Sequence, residues 1–141
     1  MADFIPLSVP NFAGREKEYV NDAVVSEWVS TGGSKVAGFE EALAEYVGMP
    51  RAVACNSGTS GLHLACLAAG VGRGDEVLAP TLTFIAAVNP IRYAGAEPVF
   101  IGCDDSLCMD PAEAEAFCAA RCHMEGDRLI DSATGAHGKG L

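Results

Sequence analysis

The sequence predicts an α/β domain in which helices flank a mainly parallel sheet, and two observations predict it. From residue 51 onward, short apolar runs alternate with stretches whose apolar residues recur at helical spacing. Strand and helix alternating in this way build βα units, with the helices covering the sheet. Half of the 141 residues are hydrophobic, a content that supplies a core and does not suit a disordered chain.

The elements follow in order. Pro6, Pro10 and Asn11 make the first eleven residues an extended arm. A helix is predicted from about Glu16 to Trp28, where Val20, Val24 and Trp28 form one stripe. Gly32 and Gly33 break the pattern by supplying turn geometry. A second helix carries Val36, Phe39, Leu43 and Val47 on one face and Glu40, Glu41 and Glu45 on the other, and Gly48 stops it. Ala52 to Cys55 reads as a buried strand. Thr59 to Ala69 reads as a helix, Glu76 to Ala79 as a strand, and Thr83 to Tyr93 as a helix that Pro90 should kink or shorten. Pro98 to Ile101 is a third strand. A last helix, capped by Asp110, runs from Pro111 to about Cys122. The remainder, rich in glycine and polar residues, is expected to be a loose tail.

The net charge of −10 and the scatter of nine basic residues exclude a nucleic-acid partner, which needs clustered Lys and Arg. No secretory signal opens the chain, and no run approaches the roughly 20 apolar residues of a membrane span, so no membrane partner is expected. Six cysteines without a CxxC pair read as reduced thiols of a cytoplasmic protein. Cys118, Cys122 and His123 with Cys103 or Cys108 fit no standard zinc spacing, so no metal is assigned.

Three segments can carry chemistry. N-S-G-T-S-G-L-H-L-A, Asn56 to Ala65, follows a predicted strand and opens a helix. Such a junction presents unpaired N–H groups and a positive dipole end to an anion. Gly58 permits close approach, and Thr59 and Ser60 add hydroxyl donors. A simple helix cap by Ser57 or Thr59 explains the same spacing, and the residues alone leave both open. P-T-L-T-F-I-A-A-V-N, Pro80 to Asn89, lies at a strand's carboxyl end, where open α/β sheets bind ligands. Phe84 there can cover a flat ring or belong to the core. W-V-S-T-G-G, Trp28 to Gly33, offers hydroxyls to a polyhydroxylated substrate or simply ends a helix. G-V-G-R-G-D at Gly70 is no dinucleotide fingerprint, because Asp75 fills the sixth position at a helix end. Gly138-Lys139 is no P-loop, because Gly140 stands where Ser or Thr is required. None of the three lysines, Lys17, Lys35 and Lys139, has the apolar setting that lowers an ammonium pKa.

The stretches IPLSVPNFAGREKEYV, WVSTGGSKVAGFEEALAEYVG, CNSGTSGLHLACLAAGVGRGDEVLAPTLTFIAAVNPIRYAGAEPVFIGCD and DSLCMDP resemble the PLP-dependent sugar aminotransferases typed by the DegT, DnrJ, EryC1 and StrS proteins. The details are most similar to the branch that aminates a 4-keto-6-deoxy nucleotide sugar, as in legionaminic acid or bacillosamine synthesis. The resemblance implies pyridoxal 5'-phosphate as cofactor, with Gly58, Thr59 and Ser60 on its phosphate and Phe84 stacked on its pyridine ring. It places Ser30, Thr31 and Gly32 near a nucleotide-sugar substrate across a homodimer interface, with glutamate as amino donor. The fold implied is an incomplete fold-type I large domain, with N-terminal helices over 11–50, βα units over 51–122 and the loose tail over 123–141.

In that family an Asp that pairs with the pyridine nitrogen and a Lys that bonds the cofactor both come later in the chain. Asp131 and Lys139 do not match those motifs, so no catalytic residue is assigned. The expected function is therefore that of an N-terminal part of an aminotransferase, inactive alone. The alternatives are a non-catalytic PLP- or phosphate-binding module and a non-functional truncated gene product. A sheet lacking later strands should also expose an edge and self-associate.

Overall fold

A computed structural model of the chain describes residues 4–6 and 8–139. They divide into two compact units, Met1–Ala54 and Cys55–Leu141.

The first unit holds α1 (Glu16–Val25) and α2 (Ser34–Val47). Helix α1 ends three residues before Trp28, and Glu27 follows it at φ 61°. Helix α2 ends at Gly48, whose φ of 69° is the left-handed cap geometry that glycine adopts without a Cβ clash. Gly32 and Gly33 do break the helical pattern at a turn, as expected, but neither adopts left-handed backbone. Space is tight at both. A Cβ on Gly32 would stand 3.1 Å from the Trp28 ring, and one on Gly33 would stand 3.0 Å from the Trp28 carbonyl oxygen. The stretch 52–55, expected as a strand, is not one. The Ala54 N–H, which a ladder would use, instead donates to Glu40 Oε1 at 2.7 Å.

The second unit opens with α3 (Gly58–Ala68), followed by β1 (Glu76–Pro80), α4 (Ile85–Tyr93), β2 (Glu97–Ile101) and α5 (Pro111–Arg121). Strands β1 and β2 pair in parallel, from Glu76 opposite Glu97 to Pro80 opposite Ile101. With α4 between them they form one βαβ unit, as the apolar runs predict. Its core is Ala79, Val88, Ile91 and Ala96, with Val71 and Val77 packed against it. Helix α4 passes through Pro90 rather than ending there, and Pro90 is fully buried. Its ring adds packing where a backbone hydrogen bond is lost. The shortening falls at the start instead, where Phe84 is the N-cap.

Over residues 123–139 the expected loose tail is ordered, and residues 140 and 141 lie outside the described residues. It forms β3 (Cys122–Glu125), β4 (Arg128–Asp131) and β5 (His137–Lys139), an antiparallel sheet in that order. Glu125 pairs with Arg128 across a two-residue loop. Gly126 opens the loop at φ 67°, the positive φ that tight hairpin loops require. Polar faces hid these strands from a reading based on apolar runs. No helix among the described residues is long and apolar enough to cross a membrane.

Candidate functional site

The amino end of α3 is the best-formed candidate. Ser57 is its N-cap, in extended geometry, and its Oγ accepts from Ser60 N–H at 3.2 Å. The first intrahelical bond runs from Gly61 N–H to Ser57 O at 3.1 Å. The cap reading of this segment is therefore realised, and it consumes the Ser60 amide. The Gly58 and Thr59 N–H groups remain, because a helix's first amides have no acceptor within the helix. A Cβ placed on exposed Gly58 would meet nothing within 4 Å, so the space before these amides is open. The Ser60 hydroxyl donates to Asn56 Oδ1 at 2.8 Å and lies 3.1 Å from Ser57 Oγ. It must release Asn56 before it can donate outward. Thr59 carries a second hydroxyl on the same turn. Eleven aligned peptide units back the site, and such a dipole is equivalent to roughly half a positive charge at its amino end. No Lys or Arg lies between residues 52 and 72, so what this segment itself offers an anion is amides, hydroxyls and dipole.

Phe84 lies at the amino end of α4, which packs against α3 through contacts that include the His63 ring edge-on to Tyr93 at 5.8 Å. Its side chain is 84% exposed, so the core reading of Phe84 fails. The amide cradle and this open ring thus stand at the amino ends of two neighbouring helices.

In the first unit, Ser30, Thr31 and Gly32 form an exposed turn closed by Gly33 N–H to Ser30 O at 3.1 Å. Ser30 and Thr31 place both hydroxyls at the surface before α2. Lys35, just beyond, is engaged with Asp22 at 3.0 Å and lies 4.6 Å from the Tyr19 ring centre.

The sequence reading offered Ser57 as a cap, which it is, and gave Asn56 no individual role, although its side chain holds the Ser60 hydroxyl. It also missed Asp131, which is 3% exposed and accepts from Ala133 N–H and from Arg121, both at 2.7 Å. Gly126-Asp127 between two short runs was the available signal for the hairpin that carries it. Among the described residues no three His, Cys, Asp or Glu side chains converge as metal ligands.

Comparison with known proteins places this geometry in context. Residues 10–124 match the model of the DegT/DnrJ/EryC1/StrS aminotransferase family. GDP-perosamine synthase of Caulobacter vibrioides is 42% identical over 118 residues, which are 83% of this chain and 32% of that protein. GDP-perosamine synthase of Escherichia coli O157:H7 is 46% identical over 102 residues, 72% of this chain and 28% of its own. Among solved structures, Spr1654 of Streptococcus pneumoniae in its PLP form superposes with a TM-score of 0.72 at 35% identity, over 79% of this chain and 29% of that one. The chain thus spans about a third or less of the length of these relatives.

Proposed function

Because the chain belongs to the DegT/DnrJ/EryC1/StrS aminotransferase family, we propose that it is the phosphate-holding part of a pyridoxal 5'-phosphate enzyme that aminates a 4-keto-6-deoxy nucleotide sugar. The family's dependence on PLP is indicated by relatives solved in PLP and PMP forms. The observation that carries the reading is the open cradle at α3, where two amides with no acceptor within the helix and open space before Gly58 fit a phosphate. When bound, PLP supplies the electron sink for moving an amino group.

The residues of this chain then take roles that follow from their chemistry. Gly58 and Thr59 amides and the Thr59 and Ser60 hydroxyls anchor the phosphate. A hydrogen bond to a charged group is worth about 1.5–3 kcal/mol, so two or three suffice. The exposed Phe84 ring covers one face of the pyridine. Ser30, Thr31 and Gly32 present hydroxyls and backbone to the sugar, in a homodimer that takes glutamate as amino donor in the cytoplasm. Lys35 is held by Asp22 and Tyr19, which gives it a structural role rather than a reacting one. On that ground, purified chain should show no transaminase activity, and Lys35→Ala should change nothing.

Equilibrium binding of PLP, with pyridoxal as the phosphate-free control, tests the reading. PLP should bind at least about tenfold more tightly than pyridoxal, since each 1.4 kcal/mol is a factor of ten. Gly58→Ala should erase that preference while stabilising the helix by about 0.5–1 kcal/mol. Equal binding of the two ligands, or a preference that survives Gly58→Ala, rejects the reading.

A further inference from the structure

Two of the six free thiols stand together, and the cofactor reading uses neither. Cys118 lies in the last turn of α5, and Cys122 follows the helix as its C-cap. The Cys122 N–H donates to Cys118 O, so the two residues are one helical turn apart, on one side of it. Their thiols are in hydrogen-bonding contact. Both are half-buried, and both line a cavity of about 700 Å³ whose wall includes Val77, Phe117 and Leu129. The pair is therefore reachable from the cavity, with apolar side chains beside it.

Spacing and charge decide what such a pair can hold. Side chains four residues apart on a helix have Cβ atoms about 5–6 Å apart. A disulfide draws its Cβ atoms to about 3.5–4.5 Å, and the helix end would have to yield to reach that. A single atom bonded to both sulfurs lengthens the bridge by one bond and needs no such movement. A divalent cation must take thiolates. Burial pushes the Cys122 thiol up, and Cys118 and Asp131 add to the effect, so neutral thiols are favoured. Zinc also wants four ligands, and among the described residues no third His, Cys, Asp or Glu joins the pair. The ligand that fits takes two sulfurs and reacts with neutral thiols by losing water.

We propose that Cys118 and Cys122 form a capture site for a trivalent arsenical, R–As(OH)2, whose apolar substituent R lies in the cavity. Two S–H and two As–O bonds break, and two As–S bonds form. Each thiol proton leaves with a hydroxide as water. Arsenic stays trivalent, so neither oxidant nor reductant is needed. No charge is created beside Glu76 and Asp131, which line the same cavity. Because the thiols are held together, the second As–S bond is intramolecular, an advantage of about 10²–10⁴ over separate thiols. The site shares no residue with the α3 cradle, so loss of PLP binding leaves it untouched.

The test uses the full, reduced chain and phenylarsine oxide, which hydrates to the phenyl form of this reagent, in excess glutathione. Native mass spectrometry should show one arsenical per chain, with the mass of two waters lost. Glutathione, a monothiol, should not remove it, whereas dithiothreitol should. Alkylation and peptide mapping should find Cys118 and Cys122 protected together, with Cys55, Cys66, Cys103 and Cys108 labelled as before. Cys118→Ser and Cys122→Ser should each weaken capture at least about a hundredfold, and Cys66→Ser should not. The mapping uses the unsubstituted chain, so it decides the matter even if a serine variant misfolds. In competition with dithiothreitol, the phenyl reagent should be retained at least about tenfold better than its methyl counterpart, because the larger group buries more apolar surface. Alkylation of Cys118 or Cys122 despite the arsenical, protection of a different pair, or capture that survives either serine variant overturns the proposal. So does equal retention of the phenyl and methyl forms.

Discussion

At the residue scale, adjacent positions of similar chemistry differ in what their neighbours can yield. Gly32 faces the edge of the Trp28 ring, a side chain able to rotate away, whereas Gly33 faces the Trp28 and Ser30 carbonyl oxygens, which are fixed by the chain. Gly33→Ala should therefore destabilise the first unit by about 1–3 kcal/mol as overpacking, and Gly32→Ala by under about 1 kcal/mol, in urea titrations followed by Trp28 fluorescence. Equal costs would show that the turn relaxes around either methyl group. Asp131 gives a pH dependence with a definite sign. The Ala133 N–H donates to its carboxylate and Arg121 attracts it, holding its pKa below the ordinary value against the opposing effect of burial. The ionised form is thus favoured in the folded state. Its stabilising contribution is complete above the ordinary aspartate pKa of about 3.9 and is lost as pH falls through the lower folded value. The Ala133 amide resonance should keep its folded position below pH 4 in the parent and lose it only in stronger acid. In Asp131→Asn it should show no such titration, and an unchanged acid limb in that variant would remove Asp131 from the explanation.

At the element scale, the helices and the parallel pair were legible because each carries its signal locally. Asp110 before Pro111 marks the start of α5, and its carboxylate accepts from Ala112 N–H at 2.8 Å and from Glu113 N–H at 3.4 Å. Asp110→Ala should cost about 1 kcal/mol, read by chemical denaturation, while Asp110→Asn should restore most of it. A loss common to both would point to charge rather than capping. The anion cradle was legible for the same reason, since Asn56, Ser57 and Gly58 lie together in sequence. What local pattern could not show was which amides the cap would consume, a matter of the Ser57 rotamer. Nor could it show the β3–β4–β5 sheet, whose order depends on distant anchors. Thr134 Oγ1 donates to Glu76 Oε1 at 2.9 Å, and His137 N–H reaches Gly74 O. Both cross some sixty residues of sequence, beyond the reach of periodicity. The strand expected over 52–55 failed in the opposite sense, because an apolar run specifies burial and only a neighbour makes it a strand.

At the scale of the whole molecule, the apolar content and the buried content do not match. Half of the residues are hydrophobic, yet the buried core of the second unit centres on Ala79, Val88, Ile91 and Ala96. No residue of α1 or α3 is buried, and α2 buries only Ala44. The stripes Val20 and Val24 on α1 and Phe39, Leu43 and Val47 on α2, and the apolar residues Leu62, Leu64 and Leu67 of α3, are all exposed. Stripes of this width are what partner surfaces cover, because leaving them in water forgoes about 25 cal/mol per Å². The purified chain should therefore associate as its concentration rises, with sedimentation velocity showing a mass that grows with loading. The net charge of −10 opposes this at long range. That repulsion is screened beyond about 8 Å at physiological salt, whereas hydrophobic attraction is not, so raising salt should promote the association. A monomer at all concentrations, melting in one sharp cooperative transition, would mean that these faces are satisfied within a single chain. Association weakened by salt would mean that charge rather than the apolar stripes drives it.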